Sequence, residues 1–101
     1  DIIIFATPVY WYGPTAKMKL LIDRLRPYIA SRKLAGKKGL VVSPSEEGAS
    51  CCGPLLQMFA MSFEYLGMLN GGSLLSQAYE KGEIRKSPEE LQRAKEMGRS
   101  L

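Results

Sequence analysis

The sequence predicts an α/β fold built on a three-layer parallel sheet. Two short, continuously apolar runs, Asp1-Ile2-Ile3-Ile4-Phe5-Ala6 and Gly39-Leu40-Val41-Val42-Ser43, have the character of strands covered on both faces. Each is followed by a stretch with helical periodicity, and a third strand and helix follow in the same order. Strand and helix alternating across short connections argue for parallel strands joined by right-handed crossovers.

The first helix is expected over residues 16–29. Met18, Leu21, Ile22, Leu25 and Ile29 recur at three- and four-residue spacing, with Lys17, Lys19, Asp23, Arg24 and Arg26 mostly opposite. Pro27 should tighten or kink its last turn. A basic connection over 31–38 leads into the second strand, and the polar segment 44–50 leaves it. The second helix is expected over 53–66, with Pro54 in its first turn and Gly67 as its stop. Leu55, Leu56, Phe59, Ala60, Phe63 and Leu66 form its apolar face. Met58, Met61 and Tyr65 carry that surface further round, so the helix is either deeply covered or, the favoured reading, packed on another subunit.

Asn70-Gly71-Gly72 reads as a turn, and 73–78 as a third strand whose polar flanks suit a sheet edge. The last helix begins at Ser87-Pro88-Glu89-Glu90, where Ser87 and Glu90 have capping-box spacing. Leu91, Ala94, Met97 and Leu101 supply its inner face.

Composition narrows the functional classes. At 101 residues, 46% hydrophobic and 24% charged, the chain suits one small globular domain. No apolar stretch is long and unbroken enough to cross a bilayer and no secretory signal opens the chain, so a cytoplasmic location without membrane contact is expected. The formal charge of +4 comes from residues 1–48, which hold eight Lys/Arg against four Asp/Glu. That field suits an anionic ligand or a solvated helix face. The aromatics cluster instead of interleaving with the charges, so no nucleic-acid partner is expected. Histidine is absent, and two adjacent cysteines cannot build a disulfide framework. No metal site is expected.

The segment carrying chemistry is Thr7-Pro8-Val9-Tyr10-Trp11-Tyr12-Gly13-Pro14-Thr15. It joins the first strand to the first helix, at the carboxyl edge where open α/β sheets bind ligands. Three consecutive large rings in a surface loop suggest a planar aromatic ligand; the alternative is that they pack under the loop or between subunits. Thr15 could cap the helix instead of meeting a ligand.

Phe5-Ala6-Thr7-Pro8-Val9-Tyr10-Trp11-Tyr12-Gly13, then Ala16-Lys17-Met18-Lys19 and Ile22-Asp23-Arg24, resembles the flavin loop and following helix of the flavodoxin-like NAD(P)H-dependent FMN reductases. These include quinone- and azo-type reductases and relatives among the iron–sulfur flavoproteins. The resemblance continues more weakly toward the carboxyl terminus, including Gly82-Glu83-Ile84. It implies a flavodoxin-like sheet, FMN as cofactor of the complete protein, NAD(P)H as co-substrate and a small-molecule acceptor. Thr7, Pro8, Val9, Tyr10, Trp11, Tyr12, Gly13 and Thr15 would then hold the flavin, with Ser45, Glu46, Glu47 and Gly48 across the pocket.

Members of the family open with a strand and a phosphate-binding loop, and nothing of that kind precedes Asp1. The chain is therefore expected to be the carboxyl-terminal portion of a flavodoxin-like domain lacking the first strands, with reduced FMN affinity. Its first strand would present an open edge inviting self-association, through 1–6 or the 53–66 helix. Three readings follow: an FMN-dependent NAD(P)H oxidoreductase, a truncated module acting by self-association, and an electron-transfer flavodoxin. The last is expected to be acidic, unlike this chain.

Overall fold

Apolar, partly β-branched runs build the first two strands of the sheet, and a Leu/Gly/Ser-rich segment builds the third. The computed structural model describes residues 1–101. Strands β1 (Ile2–Ala6), β2 (Lys38–Ser45) and β3 (Leu69–Gln77) are parallel and lie in the order β1-β2-β3. Phe5 pairs with Val41, and Val42 with Leu74. Alternation sends Ile3, Phe5, Gly39 and Val41 to one face, and Ile4, Leu40 and Val42 to the other.

The first face carries the core. Helix α3 (Gly53–Leu66) lays Leu55, Phe59, Phe63 and Leu66 onto it, joined by Phe5, Val41 and Met68. Phe5, Phe59 and Phe63 form a ring triad with centroids 5.4, 5.6 and 5.8 Å apart. Gly39 makes the close approach possible, since a Cβ there would lie 2.6–2.9 Å from the Phe63 ring. Met18 and Ile22 of α1 (Ala16–Asp23), with Tyr28 and Ile29 of α2 (Pro27–Ser31), pack against the same cluster. The opposite face is covered by α4 (Pro88–Arg99), whose Glu90 accepts a 2.8 Å hydrogen bond from Ser76 of β3. Helices on both faces complete the three-layer α/β architecture. No helix is long and apolar enough to cross a membrane.

Several elements depart from the sequence expectation. The helix expected over 16–29 is two helices. Pro27 has no N–H to continue the ladder and starts α2 instead. Asn70-Gly71-Gly72 lies inside β3, where the pairing slips opposite Gly39 and Val41. The Asn70 side chain accepts from the Gly72 N–H, and Gly72 adopts φ +104, so the glycines shape a bulge. At α4, Ser87 Oγ accepts from the Glu90 N–H, but the Glu90 carboxylate turns to Ser76 and Arg93, leaving half of the capping box.

The inner face expected for α4 is lightly seated. Leu91, Ala94 and Leu101 are exposed, and only Met97 is partly covered. The first strand is covered on one face only. Ile2 and Ile4 remain 44% and 57% exposed because α4 sits over β3 and does not reach them.

Gly39→Ala should lower unfolding free energy by about 1–3 kcal/mol, because the added methyl drives the Phe63 ring off the sheet. Urea denaturation of the two proteins checks this; an unchanged midpoint would mean that α3 is not seated as described.

Candidate functional site

The loop after β1 is held at its base and strained at its tip. The Thr7 N–H continues the sheet ladder to the Val42 carbonyl at 3.0 Å. The buried Thr7 hydroxyl donates to the Pro8 carbonyl at 2.9 Å and accepts from the Thr15 N–H at 3.2 Å. One side chain thus ties both ends of the loop. Thr15 Oγ1 accepts from the Met18 N–H at 3.1 Å and caps α1. Both threonine hydroxyls are engaged in holding the loop.

Between them, Tyr10 and Gly13 exchange two backbone hydrogen bonds of 2.9 and 3.1 Å. The two residues inside this hairpin, Trp11 and Tyr12, have φ of +50° and +66°. A turn with both central residues left-handed ordinarily uses Asn or Gly. Two aromatic residues there cost roughly 1–3 kcal/mol each. The rings recover little of that by burial, for Tyr10, Trp11 and Tyr12 are 62%, 94% and 58% exposed.

The turn forms one wall of an open cleft of about 850 Å³ at the carboxyl edge of the sheet. Pro8, Val9, Tyr10, Trp11 and Tyr12 line it on one side, and Pro44, Ser45, Glu46, Glu47 and Cys51 on the second. Ala78, Tyr79, Glu80 and Lys81, from the loop after β3, make the third. The Gln77 side-chain amide donates to the Glu46 carbonyl at 3.0 Å and locks the second wall to the third. The cleft therefore brings together eight of the residues singled out in sequence. Thr7, Gly13, Thr15 and Gly48 lie outside its lining and shape the loops that form it.

Tyr79, Glu80, Lys81 and Cys51 were not singled out. The signal available for the first three was positional, since parallel strands all end at one edge and the loop after β3 must emerge beside the other two.

The charge of the cleft is opposite to that of the chain. Glu46, Glu47 and Glu80 line it against Lys81 alone, while the basic residues of 17–38 lie elsewhere. Beneath the second wall, burial pushes the Cys52 thiol above its usual pKa. The adjacent Cys51 adds to the rise, and the Ser45 hydroxyl opposes it.

A cleft at the carboxyl edge of a parallel sheet is where open α/β domains hold their ligands. Residues 1–80 match the family model of NADPH-dependent FMN reductases, and the chain belongs to that family. It is 30% identical to YwqN of Bacillus subtilis strain 168, described as an NAD(P)H-dependent FMN-containing oxidoreductase, over 92% of this chain and 56% of that protein. The chain thus spans little more than half the length of this relative.

The structure of a Trp repressor binding protein from Bacillus subtilis superposes with a TM-score of 0.84 at 28% identity, covering 95% of this chain and 67% of the other. A WrbA-like flavodoxin from Agrobacterium tumefaciens gives 0.68 at 22% identity, over 97% and 64%, and supports the fold alone. The fold is flavodoxin-like.

Trp11→Gly should leave stability unchanged or raise it by up to about 1 kcal/mol, because relief of the left-handed strain outweighs the loss of a solvent-facing ring. Thermal unfolding measures this, and a clear loss of stability would show that the ring is a packing element.

Proposed function

We propose that this chain carries the flavin-ring half of an FMN-dependent NAD(P)H oxidoreductase that passes hydride from a nicotinamide to a quinone-like or other small acceptor. The carrying observation is the strained aromatic turn. Trp11 and Tyr12 are held left-handed and exposed over the cleft, at a cost that burial of their rings recovers little of. Membership of the FMN reductase family supplies the ligand class.

The cleft fits the isoalloxazine better than the phosphate. Tyr10, Trp11 and Tyr12 offer flat faces and turn amides, while Pro8 and Val9 form an apolar wall behind them. When bound, FMN supplies the hydride-accepting chemistry, which needs no protein acid or base. The residues of this chain bind, orient and exclude water. Ser45, Glu46, Glu47 and Tyr79 would face the acceptor and nicotinamide side. A phosphate at this cleft would meet three glutamates and one lysine. We read the 101 residues as the carboxyl-terminal part of a flavodoxin-like domain, with the phosphate-holding elements supplied from outside the cleft. The open edge of β1 and the exposed Ile2 and Ile4 support this.

A second reading, self-association as the working principle, is favoured by the same open edge and by Met61 and Tyr65, which α3 projects outward at 59% and 71% exposure. The basic charge balance weighs against an electron-transfer flavodoxin.

Flavin titration followed by fluorescence quenching tests the first reading. Saturable binding should occur and should weaken in Tyr10→Ala. Riboflavin should bind at least as tightly as FMN, because the phosphate faces an acidic cleft. Binding of neither flavin would sink the reading for this chain. A strong preference for FMN would place phosphate recognition within these residues. Light scattering separates the second reading, which requires a stable oligomer.

A further inference from the structure

Beneath the second wall of the cleft, beside Ser45 and Gly48, lie two cysteines that the flavin reading leaves without a role. Cys51 and Cys52 are adjacent and free, and their sulfurs converge on the same two oxygen atoms. Cys51 Sγ stands 3.4 Å from the Ser45 hydroxyl and 3.4 Å from the Gly48 carbonyl. Cys52 Sγ stands 3.3 Å from that carbonyl and 3.9 Å from that hydroxyl. The Ser45 hydroxyl also donates to the Gly48 carbonyl at 2.9 Å.

The backbone keeps the four groups together. Gly48 has φ +64, and a Cβ there would approach the Gln77 Cβ at 3.3 Å, so its carbonyl is aimed by a conformation that suits glycine. The 3-10 turn Gly48–Cys51 then brings both thiols back over it. The two cysteines differ in access. Cys51 lines the cleft, whereas Cys52 is fully buried.

We infer that Cys51 and Cys52, with the Gly48 carbonyl and the Ser45 hydroxyl, form a capture site for one soft divalent cation of the cadmium or mercury class, entered from the cleft. Thiolates select soft metals, and the two oxygens can fill remaining positions on cadmium. The balance is simple. Each thiol gives its proton to solvent, two sulfur–metal bonds form, and two negative charges meet a doubly positive ion. The product is neutral, which is what a site with one fully buried sulfur tolerates. Zinc is less suited, since its structural sites call for four N/S ligands and this chain has two thiols and no histidine.

Proton release couples capture to pH. Each sulfur–metal bond displaces a thiol proton. Affinity should therefore fall as pH falls. Because Cys51 lines the cleft, the captured cation would sit at its wall and narrow it.

The test is titration of the metal-free chain with cadmium(II) alone, following the sulfur-to-metal charge-transfer absorption and the protons released. One cation per chain with loss of both thiol protons is expected. Cys51→Ser and Cys52→Ser should each lose one released proton and much of the absorption, with circular dichroism verifying that both variants fold. In the unsubstituted chain, cadmium should protect Cys51 from N-ethylmaleimide, read by mass spectrometry, while equimolar zinc should not. Wild-type affinity in either variant, release of a single proton, or unprotected alkylation of Cys51 would overturn the inference. None of these readouts depends on FMN.

Discussion

The seating of α3 on the sheet is the contact on which the other parts of the fold depend. Phe5 rises from β1, and Phe59 and Phe63 descend from α3, while Gly39 of β2 leaves the room that the Phe63 ring occupies. Each buried ring contributes on the order of 1.5–3 kcal/mol through lost contact with water. The same contact decides where the edges of the sheet lie. With α3 fixed over β2 and β3 and reaching the Phe5 ring of β1, the turn that enters it lies against the ends of β2 and β3. Ser45, Gly48 and the two cysteines are drawn together by that turn. The core therefore shapes the second wall of the cleft as well as stabilising the domain.

Against that rigid base the aromatic turn is an energetic exception. Thr7 satisfies its own hydroxyl and the Thr15 amide, so the base of the loop is fully hydrogen-bonded. Its tip holds two bulky residues in a conformation ordinarily left to glycine, with their rings in water. A fold selected for stability alone would place Asn-Gly there. In the function proposed here the rings are surfaces offered to a flat ligand, and the matching family is that of NADPH-dependent FMN reductases. The acidic lining of the cleft refines this picture, because it favours the neutral ring system over the phosphate.

The two faces of the sheet are unequally protected. One carries α1, α2 and α3, whereas the other carries only α4, tied down by Ser76 and Glu90. Ile2 and Ile4 stay half exposed on that second face. Exposed apolar residues beside an unpaired strand edge are a standing opportunity for pairing.

Much of this was legible in the sequence. The alternation of strand and helix, the span Gly53–Leu66 of α3 with its Pro54 and Gly67 signals, the Thr15 and Ser87 caps and the aromatic loop all follow from local rules of hydrogen bonding and periodicity. Other features were decided only by the tertiary structure. An apolar strand reads the same whether one face or two are covered, and β1 proved to have one. A Gly-Gly pair reads as a turn until a neighbouring strand makes it a bulge, as Lys38 and Leu40 do at Gly71. The third wall, Tyr79 to Lys81, lies some seventy residues from Tyr10 along the chain and meets it only because parallel strands end at a common edge. Local sequence encodes which backbone groups bond nearby; burial and the meeting of distant loops depend on contacts that exist only after the sheet has formed.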